Sequence, residues 1–195
     1  MMLLERPGSV IDAGTPLSLA EYLALPEDTR AEIIDGVLRP MTRATQRHRN
    51  IQSLIAAALR ACAPGDMRVL EEEIVVLSTV PVAARIPDVV VARVTPGQTW
   101  DVTSTPAVDV VLAVEVVSPS TATADHREKP REFALAGIAS FWLVELAPET
   151  RVTVHHLING AYQRIGTHRS GGDDVVSDPA LPWVALTVTD LGSYS

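Results

Sequence analysis

Apolar and polar positions along the chain alternate between two periods. From Thr45 to Ala61, residues Ile51, Leu54, Ile55, Ala58 and Leu59 fall at helical spacing and Pro64-Gly65 ends the run, which predicts an amphipathic helix. Leu19 to Leu25 follow Ser18, with Glu21 three residues on and Pro26 at the end, the pattern of a short helix with a capping box. Strand patterns occupy most of the rest. Residues 30–41 read as a hairpin turning at Asp35-Gly36, and Arg151–Leu157 with Tyr162–Ile165 as a second one turning at Asn159-Gly160. Met67–Leu77 and Ala84–Arg93 read as two strands linked by Ser78–Pro81. Asp109–Val117 and Phe141–Leu146 read as buried strands, with a helix over Asp125–Gly137 crossing between them, and Val184–Val188 as a further short strand. Thr95–Pro106 holds two prolines, a glycine and Trp100, which predicts a loop placed as a lid, and Ser170–Asp174 reads as a polar loop. The expected fold is α/β: a mixed, mainly antiparallel central sheet flanked by helices. Residues 1–17 read as a flexible lead-in, and 18–195 as a single domain.

Composition narrows the class. At 195 residues, 47% apolar and 21% charged, the chain has the make-up of an ordinary globular protein. It has no apolar run long enough to span a membrane, and its start is too short and too soon charged for a signal peptide. The single cysteine, Cys62, excludes an intrachain disulfide and reads as a small apolar helix residue, so a cytoplasmic location is expected. The net charge of −8 argues against broad, nonspecific adhesion to nucleic acid and leaves a local site open. Fifteen of the 16 basic residues are arginine, and the lone lysine is Lys129. A compact ammonium on a flexible stem is not equivalent to a guanidinium, so that position stands out.

Two carboxylates interrupt otherwise apolar strands. Glu115 lies among Val111, Leu112, Ala113, Val114, Val116 and Val117, and Asp88 between Ile86 and Val89-Val90-Val91. Strands buried on both faces lose the apolar and polar alternation, and an ionised carboxylate in one needs a compensating cation or donors. If the two strands are neighbours, both carboxylates reach one point, and two oxygen ligands with several waters are what magnesium accepts. Such an ion polarises a phosphoryl oxygen and acidifies water, and a nearby lysine orients that water or meets the developing charge. The alternative is a pair of buried ion pairs with arginines such as Arg85 or Arg127.

Pro87-Asp88, Glu115 and a following lysine resemble the PD-(D/E)xK nuclease superfamily. The ordered set EIIDG at 32–36, IPDVVV at 86–91, VEVVSPST at 114–121, Asp125 with Lys129, and AGIASFWLVE at 136–145 is similar to the Uma-two family of restriction-endonuclease-like proteins, over roughly 18–166. The resemblance implies a restriction-endonuclease-like fold and a DNA endonuclease dependent on Mg2+ or Mn2+. It also implies Asp88 and Glu115 as metal ligands and a homodimer. Where the superfamily places its lysine, two residues after the glutamate, this chain has Val117. The family displaces that lysine onto the next helix, which makes Lys129 the catalytic candidate beside Asp88 and Glu115. Glu32 is a candidate further metal ligand, as an N-terminal glutamate is in some members of the superfamily.

Each assignment has a plainer counterpart. Glu32 also suits a surface or hairpin salt bridge, and Lys129 a solvated helix start. Arg43, Arg47, His48 and Arg49, like Arg127 and Arg131, suit either phosphate or an exposed face. Pro130 conflicts with a helix capped at Asp125, because proline is tolerated only in the first turn. His155 and His156 point to opposite faces of a strand and do not share a metal easily. Ser118 and Ser120 lack a nucleophile elbow, and Ser170-Gly171-Gly172 lacks the lysine of a phosphate loop. The rival function is a catalytically inactive dimeric module that binds nucleic acid or protein on the nuclease fold.

Overall fold

A computed structural model describes residues 5–6, 9–10, 16–26, 28–94, 97, 102–171 and 175–191. Much of the lead-in expected over residues 1–17, and parts of the loops expected over 95–106 and 170–174, lie outside them. In chain order the ribbon β1 (Glu5–Arg6) and β2 (Ser9–Val10) precedes helix α1 (Leu19–Leu23) and the hairpin β3 (Ala31–Ile34) and β4 (Val37–Pro40). Helix α2 (Gln46–Cys62) leads to β5 (Met67–Glu71), β6 (Val75–Thr79), β7 (Val82–Arg85), β8 (Val89–Arg93), β9 (Thr105–Pro106) and β10 (Val110–Val116). A π-turn over Ala124–Glu128 opens helix α3 (Lys129–Leu135), and β11 (Ser140–Glu145), β12 (Arg151–Ile158) and β13 (Ala161–Arg169) follow.

Local chemistry explains most of these elements. Ser18 and Glu21 form the expected capping box on α1, and the Thr45 hydroxyl accepts the His48 N–H to start α2. Asp35 and Gly36 both take positive φ, the geometry of a tight hairpin turn, and a Cβ on Gly36 would sit 2.7 Å from Pro16. Asn159 and Gly160 turn the outer hairpin the same way.

The strands form two main sheets. The central one runs β13-β12-β11-β10-β8-β5 and is antiparallel except where β10 and β11 lie parallel across α3. The second runs β4-β3-β7-β6-β9. Alternate residues of β8 and β10 enter cores on opposite faces, which is why both read as unbroken apolar runs. On one face Val89, Val91, Leu112, Val114 and Val116 pack beneath Ile51, Ile55 and Leu59 of α2. On the other Val90, Ala92 and Ala113 pack beneath Phe133 of α3 and Ile138.

The strands expected over 67–77 and 84–93 are each two strands. Met67–Glu71 pairs with Val89–Arg93 in the central sheet, while Val75–Thr79 and Val82–Arg85 form their own hairpin in the second. Both chains leave the central sheet at one level, just past the Glu71–Val89 pair, where Glu72 takes a φ of 50° and donates its N–H to the Asp88 carbonyl. Nothing in the apolar pattern marks that bend. The strand expected over Val184–Val188 is a single bridge between Val175 and Thr187, followed by a 3-10 turn.

The C-terminal tail still belongs to the core. Val176, Leu181, Leu186, Val188 and Leu191 pack against α2 and the sheet. Asp178 anchors them: its Oδ2 accepts from Trp142 Nε1 at 2.6 Å and from the Ser140 hydroxyl, and its Oδ1 accepts the Ala180 N–H. Replacing Asp178 with Ala strands the fully buried Trp142 indole N–H, leaves the Ser140 hydroxyl only the His155 carbonyl at 3.2 Å, and frees the Ala180 N–H, so a loss of about 3 kcal/mol is expected. For a chain of this size that lowers the melting temperature by about 6–12 °C in a circular dichroism melt, and Asp178→Asn, which keeps an acceptor, should lose less.

Candidate active site

Register brings the two strand carboxylates together. Val114 of β10 pairs with Val89 of β8, so the next residue outward, Glu115, comes level with Asp88 at the bend before β8. Glu115 keeps step with Ala113 and so lies on the α3 side of the sheet. It is 2% exposed. Asp88 stands at the mouth, with a donor on each oxygen: His48 Nε2 lies 2.8 Å from Oδ1, and the Val116 N–H donates to Oδ2 at 2.6 Å.

Lys129 reaches the same place from α3. Its Nζ donates to Glu115 Oε2 at 2.7 Å and lies 3.3 Å from Asp125 Oδ1 and 3.7 Å from Glu32 Oε1. The side chain is buried, so the solvated helix start is excluded. The π-turn removes the conflict over Pro130. The Lys129 N–H bonds to the Ala124 carbonyl five residues back, and the widened turn ends as Pro130 enters the first turn of α3. Asp125 and Lys129, four residues apart, share one side of this segment.

Arg85 neutralises other acids. It binds Glu132 through two hydrogen bonds of 2.6 and 2.8 Å and Glu32 Oε2 through one of 2.7 Å. Glu32 Oε1 accepts the Ile86 N–H at 3.1 Å. The arginine pairing weighed for Asp88 and Glu115 therefore falls on Glu32, which lines the cleft from its far wall. Arg127 makes no ion pair among the described residues.

These groups surround a cleft of about 190 Å³, also lined by Arg30, Glu72, Ser118, Ser120 and Thr121. Arg30 and Glu72 pair across its rim at 2.8 Å. Ser118 and Ser120 belong to a hydroxyl cluster with Thr121 and Thr42. Five carboxylates line the cleft, those of Glu32, Glu72, Asp88, Glu115 and Asp125, with two permanent cations, Arg30 and Lys129, while Arg85 behind Glu32 also pairs with Glu132 and Glu128.

Burial pushes the Glu115 carboxyl well above the ordinary range; the Lys129 ammonium pulls the other way, and the charges of Asp88 and Asp125 push it up further. Burial likewise raises Asp125, with Lys129 and the Thr121 hydroxyl opposing. For Lys129 burial favours the neutral amine, yet Glu115, Glu32 and Asp125 together outweigh it and raise its pKa. The lysine is held as a cation.

Such a donor set suits a hard divalent ion. Among the described residues no three His, Cys, Asp or Glu side chains form a ready-made metal cage. Magnesium requires none, since it takes one or two carboxylates and keeps several waters. Glu115 Oε1 is buried without a hydrogen-bond partner, and the excess negative charge asks for a further cation. Asp88 and Glu115 would supply the ligands.

Sequence reasoning passed over two members of this cluster. His48 was one of four polar residues at a helix start, and only its burial between exposed Arg47 and Arg49 separates it from them. Glu132 lies 47 residues from Arg85, and no local signal pairs the two.

A family model described as "Uma2: Putative restriction endonuclease" matches residues 19–189. Among solved structures, the chain is similar to one described as a putative nuclease belonging to DUF820 from Anabaena variabilis, with a TM-score of 0.67 and 19% identity over 90% of this chain and 97% of that one. At that identity the likeness establishes a shared fold. No curated protein matches the sequence significantly. The family match runs from α1 into the tail and takes in Glu32, Asp88, Glu115, Asp125 and Lys129, so the chain belongs to the Uma2 family of putative restriction endonucleases.

Proposed function

We propose that the protein is a divalent-metal-dependent DNA endonuclease of the PD-(D/E)xK type, hydrolysing phosphodiester bonds in the cleft between β8, β10 and α3. One observation carries the reading: carboxylates from neighbouring strands face a single cleft, in negative excess, beside a buried lysine. When bound there, Mg2+ or Mn2+ supplies Lewis acidity toward a phosphoryl oxygen and a water. Asp88 and Glu115 hold the ion, and Glu32, through the oxygen not tied to Arg85, completes the acidic wall. Lys129, already protonated, acts as a donor to the attacking water and as a positive charge facing the phosphoryl oxygens. Its protonated amine cannot accept a proton, so the base is not Lys129.

A groove behind the π-turn supports nucleic acid as the substrate. His126 follows Asp125 on that turn and, with Arg151, Arg164, Arg169 and His155 on the strands beside it, lines a polar groove of about 630 Å³. Glu145 pairs with Arg151 and Glu149 with Arg169, while Arg164 makes no ion pair among the described residues. Phosphates in that groove would meet guanidinium groups on an otherwise acidic protein. The rival reading, a catalytically silent binding module, draws on the same Lys129–Glu115 contact, because the lysine already compensates part of the buried charge.

Asp88→Asn should abolish metal-stimulated cleavage of duplex DNA while leaving the circular dichroism spectrum unchanged; undiminished cleavage would remove Asp88 from the mechanism, and a wild type that cleaves nothing with Mg2+ or Mn2+ would favour the silent module. Arg164→Glu should raise KM for DNA with little change in kcat, and should flatten the logarithmic salt dependence of binding by about one unit per lost phosphate contact. A third expectation concerns pH. Because the folded pKa of Glu115 is raised, its contribution to cation-free stability is present below the ordinary carboxylate range and is lost as pH rises through the folded pKa. Glu115→Gln should therefore melt higher than wild type at alkaline pH without cation, by about 2–4 °C for each kcal/mol recovered. It should also lose the stabilisation that Mg2+ gives wild type, which grows with pH as Glu115 ionises.

A further inference from the structure

His48 is buried at the start of an otherwise solvated helix turn. Two bonds fix it there. Its backbone N–H donates to the Thr45 hydroxyl at 3.2 Å, and its Nε2 lies 2.8 Å from Asp88 Oδ1. Nδ1 is buried with no hydrogen-bond partner. A proton on Nδ1 would leave a donor without an acceptor, so the ring carries its proton on Nε2 and donates it to the carboxylate. Nε2 is thereby occupied and Nδ1 is enclosed, which leaves the imidazole no free nitrogen for a water in the cleft. A general base is excluded by that geometry.

What the ring does is hold Asp88. The carboxylate would otherwise rotate about its terminal torsion, which is soft for aspartate. Here α2 grips one oxygen through His48 and β10 grips the other through the Val116 N–H. Each oxygen accepts a single bond and keeps a second lone-pair site. The two donors come from elements on different sides of the carboxylate, so its plane is set before any ligand arrives.

We propose that His48 is a positioning residue that orients Asp88 toward a divalent cation, an inference that rests on the metal-dependent reading above. Partners of this kind around a ligating side chain typically govern 10–100-fold in metal affinity. The residue contributes through the donor it presents, so a side chain of similar bulk without that donor should fail to replace it.

Isothermal titration of Mn2+ into the full chain tests this, using wild type, His48→Leu and His48→Gln. Leucine should weaken Mn2+ binding by about 10–100-fold, and glutamine, whose amide can donate to Asp88, should restore most of the loss. Melting curves without cation separate damage to the fold from damage to the site; if the leucine variant does not fold, His48→Met makes the same comparison. Mn2+ binding by the leucine variant as tight as wild type would overturn the inference alone, as would equal weakening in leucine and glutamine. Wild type that takes up no Mn2+ would overturn the metal-dependent reading and this inference with it.

Discussion

Lys129 Nζ lies 2.7 Å from Glu115 inside a pocket that Glu32, Asp88 and Asp125 also border, so acidic side chains outnumber basic ones there. Burying like charges together opposes folding, and removing water from them raises that cost. Hydrophobic replacements at these positions would fold at least as readily. Carboxylates held at this expense, on strands that are otherwise largely apolar, mark the pocket as the candidate site. The cores on either side of β8 and β10 supply the rigidity that holds the acids in place.

The π-turn follows from the same constraint. A regular helix through Ala124–Glu128 would set Pro130 against the carbonyl of His126, four residues back. Widening the turn by one residue relieves that clash and leaves Asp125 and Lys129 together at the cleft, with His126 turned to the groove on the other side. One short segment therefore borders both the acidic pocket and the arginine-lined groove.

Residues whose anomaly was local were legible in the sequence. Glu115 stood out because an apolar run has no room for a carboxylate, Asp88 because it precedes three valines, and Lys129 because arginine serves nearly everywhere else. The hairpin turns and the capping box of α1 were equally plain, since Asp35-Gly36, Asn159-Gly160 and Ser18 act within a few residues. The second sheet was hidden, because the bend after Glu71 depends on a positive φ at Glu72 that no glycine announces. The tail's place in the core was hidden too, since Asp178 acts on Trp142 from 36 residues away.

The hidden bend is also what opens the site. Had β5 and β8 continued straight, Asp88 would lie within the ladder beneath α3, with its oxygens enclosed. Because both chains turn away at the Glu71–Val89 pair, Asp88 stands where the sheets part, its side chain 14% exposed against 3% for Glu115. One carboxylate thus faces solvent while the other sits against the lysine behind it. A ligand entering from the mouth meets Asp88 first and the ordered charge of Glu115 and Lys129 next, an asymmetry that a single flat sheet could not provide.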